Sequence, residues 1–352
     1  MRHPMILFAL ATLAAPILLG LGALWGGAWI YLGLAWITLL AAVLDEAVAL
    51  TLPAEEEAAE FPRADALSIA LVVAQLALLA LVVATLGRGA LSWAETLALA
   101  LGTGLFLGQV GNSNAHELIH RSSRLLHRAG VLAYLSVLYG QHVSGHLLVH
   151  HVHVGTKADP NSARWGEGLY RFLLRAWPGE LRRAFAAERA RDRASGRPAW
   201  RNPFVTYALG GLAFCLAARA LGGPAGLAWF LALAVFAQLQ LLTSDYVQHY
   251  GLRRRTGQSG KPEPVRSAHS WNAPHWFSSA LMLNAPRHSD HHAHPTRPYP
   301  ALRLDEDMPR LPYSLPVMAC IALWPRHWRR LMDPLATSWQ NRMDERPDHL
   351  PD

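Results

Sequence analysis

Residues 66–86 read ALSIALVVAQLALLALVVATL, a run without a charge in which only Ser68, Gln75 and Thr85 are polar. A helix needs about 20 apolar residues to cross the hydrocarbon core of a bilayer. A helix on the surface of a soluble protein would instead show a polar face at 3.6-residue spacing, and this run has none. It predicts a membrane-spanning helix. Comparable runs lie at 5–25, 28–44, 91–111, 204–222 and 225–244. The fold class expected is therefore an all-α integral membrane protein with about six transmembrane helices, a single polytopic domain over 1–352. The composition agrees, with 52% hydrophobic and 16% charged residues. Met1-Arg2-His3-Pro4 ahead of the first run imitates a signal peptide. The run from Met5 to Trp25 is longer than a signal core and leads directly into the next, so it reads as a first membrane helix. The apolar stretch at 129–140 is too short to span and is expected to be buried or interfacial. Those at 277–286 and 311–324 are also short and carry prolines at their edges.

Orientation follows from Lys and Arg. Of 32, 14 fall in 112–203 and 14 in 245–352, leaving Arg2, Arg63, Arg88 and Arg219. An even number of helices precedes each basic block, so both lie on one side, and that side is cytoplasmic. The loop at 45–65 should share it although it carries Glu55, Glu56, Glu57 and Glu60, because acidic residues count little in this rule. The net charge of +7 is then a signal of basic flanks against anionic membrane lipid, with no nucleic acid partner implied. A bacterial inner membrane is the expected location. The two cysteines, Cys215 and Cys320, exclude a disulfide framework, a multi-cysteine metal site and a fused four-cysteine rubredoxin module.

Eighteen histidines are present, and most are clustered in the two basic blocks. His116 and His120 form one pair. His142, His146, His150, His151 and His153 follow, then His249 in Tyr246-Val247-Gln248-His249-Tyr250-Gly251. The last cluster is His288, His291, His292 and His294. Helical residues four apart share a face with Cβ atoms about 5–6 Å apart, as for His116/His120 and His146/His150. Neighbours on a helix point about 100° apart, so the adjacent pairs His150-His151 and His291-His292 suit two metal ions better than one. Imidazole with open positions suits iron, copper, zinc or nickel, so spacing leaves the metal open.

Isolated histidines at helix ends usually cap or snorkel, and His3, His127, His327 and His349 are read in that way. His269 and His275, in a Pro/Ser/Trp-rich loop, are read as surface residues or supports of the ligands. His116-Glu117-Leu118-Ile119-His120 also fits the HExxH zinc-protease pattern. A membrane zinc protease needs one further ligand and leaves the other clusters unexplained. A metal transporter would hold its ligands near the bilayer midplane, where these runs carry almost no ionisable residue.

The order of the clusters resembles the membrane-bound alkane 1-monooxygenase family, within the wider desaturase and hydroxylase superfamily. His116–Arg121 is similar to its first histidine box. Gly145-His146-Leu147-Leu148-Val149-His150-His151, with Val154-Gly155-Thr156 and Asp159-Pro160, is similar to its second. Tyr246–Leu252 resembles its Asn-Tyr-x-Glu-His-Tyr-Gly segment, and Arg287–Thr296, RHSDHHAHPT, its last box. The likeness covers roughly 90–330. It departs at Gly145 and Gln248, where the family usually has Glu, and at Asp245 in place of Asn.

The resemblance implies two non-haem iron ions held by His116, His120, His146, His150, His151, His249, His288, His291 and His292, with O2 as co-substrate. The implied reaction is hydroxylation of the terminal methyl of a medium-chain alkane to a primary alcohol. The electrons would come from a separate rubredoxin-like donor and its NAD(P)H-dependent reductase, docking at the basic cytoplasmic surface. Hydroxylation of aromatic methyls, or fatty-acid hydroxylation, desaturation or decarboxylation, uses a related pattern. Ligating imidazoles must be neutral with the second nitrogen held by an acceptor. Glu117, Asp159, Asp245 and Asp290 lie close in sequence to the ligands and are the candidates, with capping or surface carboxylates as the alternative reading.

Overall fold

The computed structural model describes residues 4–48, 51, 54, 61–257 and 260–345. The acidic loop at Glu55–Glu57 and Glu60, and His3 and His349, lie outside the described residues. Among the described residues the ordered elements are helices, and extended backbone pairs only in isolated bridges such as Asn272 with Arg310.

Among the described residues, four helical stretches are long and apolar enough to cross a membrane: Met5–Trp25, Ala28–Ala47, Arg63–Arg88 and Pro203–His249. The first two, α1 (Pro4–Trp25) and α2 (Ala28–Ala47), form a hairpin. α3 (Pro62–Arg88) starts with proline at its first turn, where the missing N–H costs nothing, and stops at Gly89 in the left-handed region. α4 (Trp93–Phe106) opens on a capping box in which Ser92 and Glu95 satisfy each other's backbone N–H groups. Glu95 also accepts from Gly27 N at 2.8 Å, which ties the α1–α2 turn to this helix.

Two of the six expected runs share one of these stretches, and the run at 91–111 is not among them. The run expected to span at 91–111 is not one regular helix. α4 passes through a π turn at Leu107–Gly111 into α5 (Asn112–Ile119), and π turns of this kind concentrate at functional sites. The runs expected at 204–222 and 225–244 belong to one 47-residue helical stretch, Pro203–His249. Gly223, at φ 65° and ψ −161° and followed by Pro224, breaks it, and only glycine adopts that conformation readily. Beyond the break the chain folds back. Tyr207 Oη on the first limb lies 2.9 Å from Ser144 Oγ, while Gln238 on the second donates to Val137 O at 2.9 Å. At the bend the backbones of α3 and the hairpin touch, and a Cβ added to Gly87 would lie 2.3 Å from Gly222 O.

Apart from the Pro203–His249 hairpin, which also reaches it, the helices that build the layer holding the histidines are short or amphipathic. They are α6 (Arg124–Leu135), α7 (Gln141–Gly145), α8 (Leu169–Ser195), the Pro203–His249 hairpin as α9, α10 (Trp276–Leu281), α11 (His288–Ala293), α12 (Leu315–Ala322) and α13 (Pro325–Glu345). The 129–140 stretch lies largely in α6 and buries Ala133, Tyr134 and Leu135. α13 buries Trp328, Met332, Ala336, Trp339 and Met343 at helical spacing against Tyr246 and Tyr250. Full burial of each large apolar side chain contributes about 1.5–3 kcal/mol. The amides of α10 are capped by Asp45 of α2, which accepts from Phe277 N and Ser278 N at 2.9 and 3.1 Å. This contact fixes the last histidine segment to the membrane bundle.

Candidate metal centre

All nine histidines implied as ligands meet in one place. The α4–α5 rod presents His116 and His120 at its end. α7 runs into a π turn at His146–His150 that carries the second box. His249 ends α9, and His288, His291 and His292 occupy the single short helix α11. Their nitrogens fall into two groups, His116, His120, His146, His151 and His291 in one, His150, His249, His288 and His292 in the other. The π turn decides this division. His146 reaches His151, five positions on, with Nε2 atoms 2.9 Å apart. His150, four positions from His146, turns to the other group beside His249 and His292. The two adjacent pairs, His150/His151 and His291/His292, are each split between the groups.

Within the first group successive Nε2 atoms lie 2.8 Å apart for His116–His146, 3.0 Å for His146–His120 and 3.2 Å for His291–His151. In the second, His288 Nε2 is 3.0 Å from His249 Nε2 and 3.1 Å from His292 Nε2. An ion holding imidazole nitrogens at about 2.1 Å puts two of them, set at right angles, about 3.0 Å apart. His150 Nε2 is buried and without a hydrogen-bond partner among the described residues. Burial, and then repulsion between neighbouring rings, holds His116, His146, His151, His288, His291 and His292 well below the ordinary imidazole range, and His120 falls to about 3. Neutral rings keep the lone pair a metal needs. Burial lowers His150 as well, but the charge of Asp159 beside it outweighs this and raises it to about 9. The donor set thus fits two bound metal ions.

The carboxylates near these ligands are arranged differently from one another. Asp159 accepts from His150 Nδ1 at 2.8 Å and is itself held by Ser162 Oγ and Asn161 N. Glu117 pairs with Arg121 at 2.9 Å and accepts from Tyr299 N, and burial raises it to about 6. Asp245 accepts from Asn161 Nδ2 at 2.8 Å. Asp290 pairs with Arg297 and His294 and accepts from Arg303 N. Of the four, Asp159 is the one hydrogen-bonded to a ligand ring. α11 is pinned by Asn272, whose side chain bonds both Ser289 N and Ser289 Oγ.

Among the isolated histidines, His127 caps α5 through Ile119 O and His327 is exposed. His269, read as surface or supporting, is fully buried and engages Glu263; His275 is half-buried. Sequence reasoning missed Glu180 of α8, a buried carboxylate bonded to His142 Nδ1 at 2.7 Å, Tyr139 and Asn161.

Both groups contribute to the lining of a cavity of about 940 Å³ with mostly apolar walls. α2 contributes Ile37, Leu39 and Ala42, and α9 contributes Phe236 and Leu239. At the histidine end stand His116, His146 and His288 with Tyr134, His142, Asp245 and Gln248.

A fatty acid desaturase family model matches residues 90–321. An alkane 1-monooxygenase 1 of Pseudomonas aeruginosa is 38% identical over 244 residues, 69% of this chain and 64% of that protein. An alkane 1-monooxygenase 2 of the same organism is 35% identical over 326 residues, 89% of this chain and 86% of its own length. An alkane 1-monooxygenase of Pseudomonas putida is 34% identical over 257 residues, covering 72% of this chain and 64% of the relative. The matches to the first and third thus cover just under two thirds of those relatives.

Proposed function

The chain belongs to the fatty acid desaturase family, in company with its alkane 1-monooxygenases, and on that footing we propose that it is a two-iron membrane monooxygenase. It hydroxylates the terminal methyl of a medium-chain alkane with O2 and two electrons from a rubredoxin-like donor served by an NAD(P)H-dependent reductase. One observation carries this reading: histidines of both nitrogen groups, His116 and His146 of one and His288 of the other, line a mostly apolar cavity of about 940 Å³. The nine histidines are the proposed ligands. The donor set also suits copper, zinc or nickel, and the family supports iron.

Iron bound there supplies the oxidant that an unactivated C–H bond requires and no side chain provides. The chain's own residues do the rest. Leu39, Ala42, Phe236 and Leu239 wrap the substrate in apolar contacts and exclude water. Tyr134 flanks the metal end, so that one end of the chain reaches the ligand rings. Asp159 holds the proton of His150 on Nδ1 and so leaves Nε2 free to ligate. Six helical legs, at 5–25, 28–44, 66–86, 91–111, 204–222 and 225–244, cross the inner membrane. The segments 112–203 and 245–352 face the cytoplasm, where exposed Arg253 offers positive charge to an acidic electron donor.

The test is metal analysis of the purified protein beside an assay of octane conversion to 1-octanol with O2, rubredoxin, its reductase and NADH. One iron for each nitrogen group, lost in part when His291 becomes alanine, together with 1-octanol formation, supports the proposal. Iron without octanol moves the substrate to aromatic methyls or fatty acids, and zinc alone without iron overturns the reading.

A further inference from the structure

The metal end of the cavity carries a polar group that hydroxylation leaves unused. His142 lies one turn before His146 and belongs to neither nitrogen group. It is 2% exposed, with its ring between those of Tyr139 and Tyr134 and 5.2 Å from that of His146. Its Nδ1 lies 2.7 Å from Glu180 Oε1. Glu180 is held in turn, because Tyr139 Oη donates to Oε2 at 2.7 Å and Asn161 Nδ2 at 3.2 Å. Gly145 leaves room for this carboxylate: a Cβ there would lie 2.7 Å from Oε1. With Nδ1 committed to Glu180, no hydrogen bond among the described residues engages Nε2, and the ring lines the cavity.

We propose that His142, positioned by Glu180, is a hydroxyl-binding subsite that takes the terminal OH of a neutral aliphatic alcohol. The choice of an aliphatic chain rests on the hydroxylation reading above. The chemistry of the subsite does not. A ligand pocket draws its specificity from a few polar groups set in an apolar wall. A hydroxyl both donates and accepts, so it satisfies Nε2 whether or not that nitrogen carries a proton. An alkane offers nothing to this nitrogen. The subsite therefore separates alkanols from alkanes of equal length. Glu180 acts through His142 and is a positioning residue.

The experiment measures equilibrium binding of radiolabelled 1-octanol and octane to zinc-loaded protein in phosphatidylcholine nanodiscs, with empty discs as the blank. Zinc prevents turnover, so the result is independent of whether octane is a substrate of the iron-loaded enzyme. His142→Phe is expected to weaken 1-octanol about 2- to 13-fold, the range of one buried neutral hydrogen bond, and to leave octane unchanged. Glu180→Gln is expected to weaken 1-octanol in the same sense, and His142→Gln, which keeps a hydrogen-bonding edge, to restore most of the affinity. Zinc content equal to that of the unaltered protein checks the fold, and if His142→Phe loses zinc the two glutamine variants decide. Equal loss of octane and octanol binding, or no loss of octanol in any variant, overturns the proposal.

Discussion

Asp159→Asn is the substitution that separates an orienting carboxylate from a space-filling one. Asp159 is buried and accepts three hydrogen bonds, from His150 Nδ1 and Ser162 Oγ at Oδ2 and from Asn161 N at Oδ1. The amide of asparagine has nearly the same shape but only one acceptor atom. The Asn161 N–H is a backbone donor and cannot turn away, so it takes the amide oxygen. The amide NH2 then faces His150 Nδ1. Two donors cannot share that contact, so His150 moves its proton to Nε2, the atom that points into the four-nitrogen group. A protonated nitrogen is not a ligand. A hydrogen bond to a charged group contributes about 1.5–3 kcal/mol, and at 1.4 kcal/mol per factor of ten this is about 12- to 140-fold. Loss of a hydrogen-bond partner behind a ligating histidine costs about 10- to 100-fold in metal affinity, an independent figure in the same range. The assay is chelator competition followed by metal analysis. The group containing His150 should empty first, leaving metal on the five-nitrogen group that contains His116 and His291. Two ions held with unchanged affinity would refute the orienting role of Asp159.

Asn272→Ala should release α11, because it leaves Ser289 N without its buried partner; the expected cost is about 1–3 kcal/mol, read as a lower thermal midpoint and as metal loss from both groups. Gly87→Leu drives a side chain into Gly222 O and should destabilise the α3–α9 contact by about 1–3 kcal/mol. Surviving folded protein should keep its metal content, and a midpoint equal to that of the unaltered protein would contradict the close crossing. Ala42→Phe narrows the cavity wall on α2, so turnover should fall for dodecane before hexane when rates are compared across an alkane series. Equal loss at all lengths would place Ala42 outside the substrate path.

Much of the molecule was legible because its signals are local. A charge-free run such as 66–86 can only be a membrane helix, and α3 covers it from Pro62 to Arg88. The two runs on either side of Gly223 were separable because glycine followed by proline breaks any helix. The interruption at Leu107–Gly111 was not legible, since an extra residue in a helical turn leaves no mark on an apolar sequence. The same deviation at His146–His150 explains why spacing of four did not give the partner of His146, which is His151 at five. Nearness in sequence also proved a poor guide to which acid holds which ring. Glu117 and Asp290 are taken by Arg121 and Arg297, while Glu180, far from any cluster and on an Arg-rich amphipathic helix, reaches His142. Its register toward the site depends on how α8 packs, and that is a tertiary fact.

The distribution of buried charge follows from the same arrangement. Nine neutral imidazoles offer lone pairs but no negative charge, so two divalent ions held by them would need anions just beyond the rings. Three buried carboxylates stand there, Asp159, Asp245 and Glu180, and Asn161 joins them by donating to Asp245 and Glu180 while its backbone N–H donates to Asp159. Among the described residues none of the three is paired with Lys or Arg. Burying carboxylates without cations is costly, several kcal/mol per ion on the order of measured penalties. A fold that concentrates three of them around one asparagine is compensated only if positive charge enters the histidine groups. Without metal, a proton on His150, raised to about 9 by Asp159, supplies part of that charge; bound metal would supply more, which makes the acids and the histidines one electrostatic unit. It also explains why Glu117 and Asp290, whose cations are arginines, lie outside the Asn161 network.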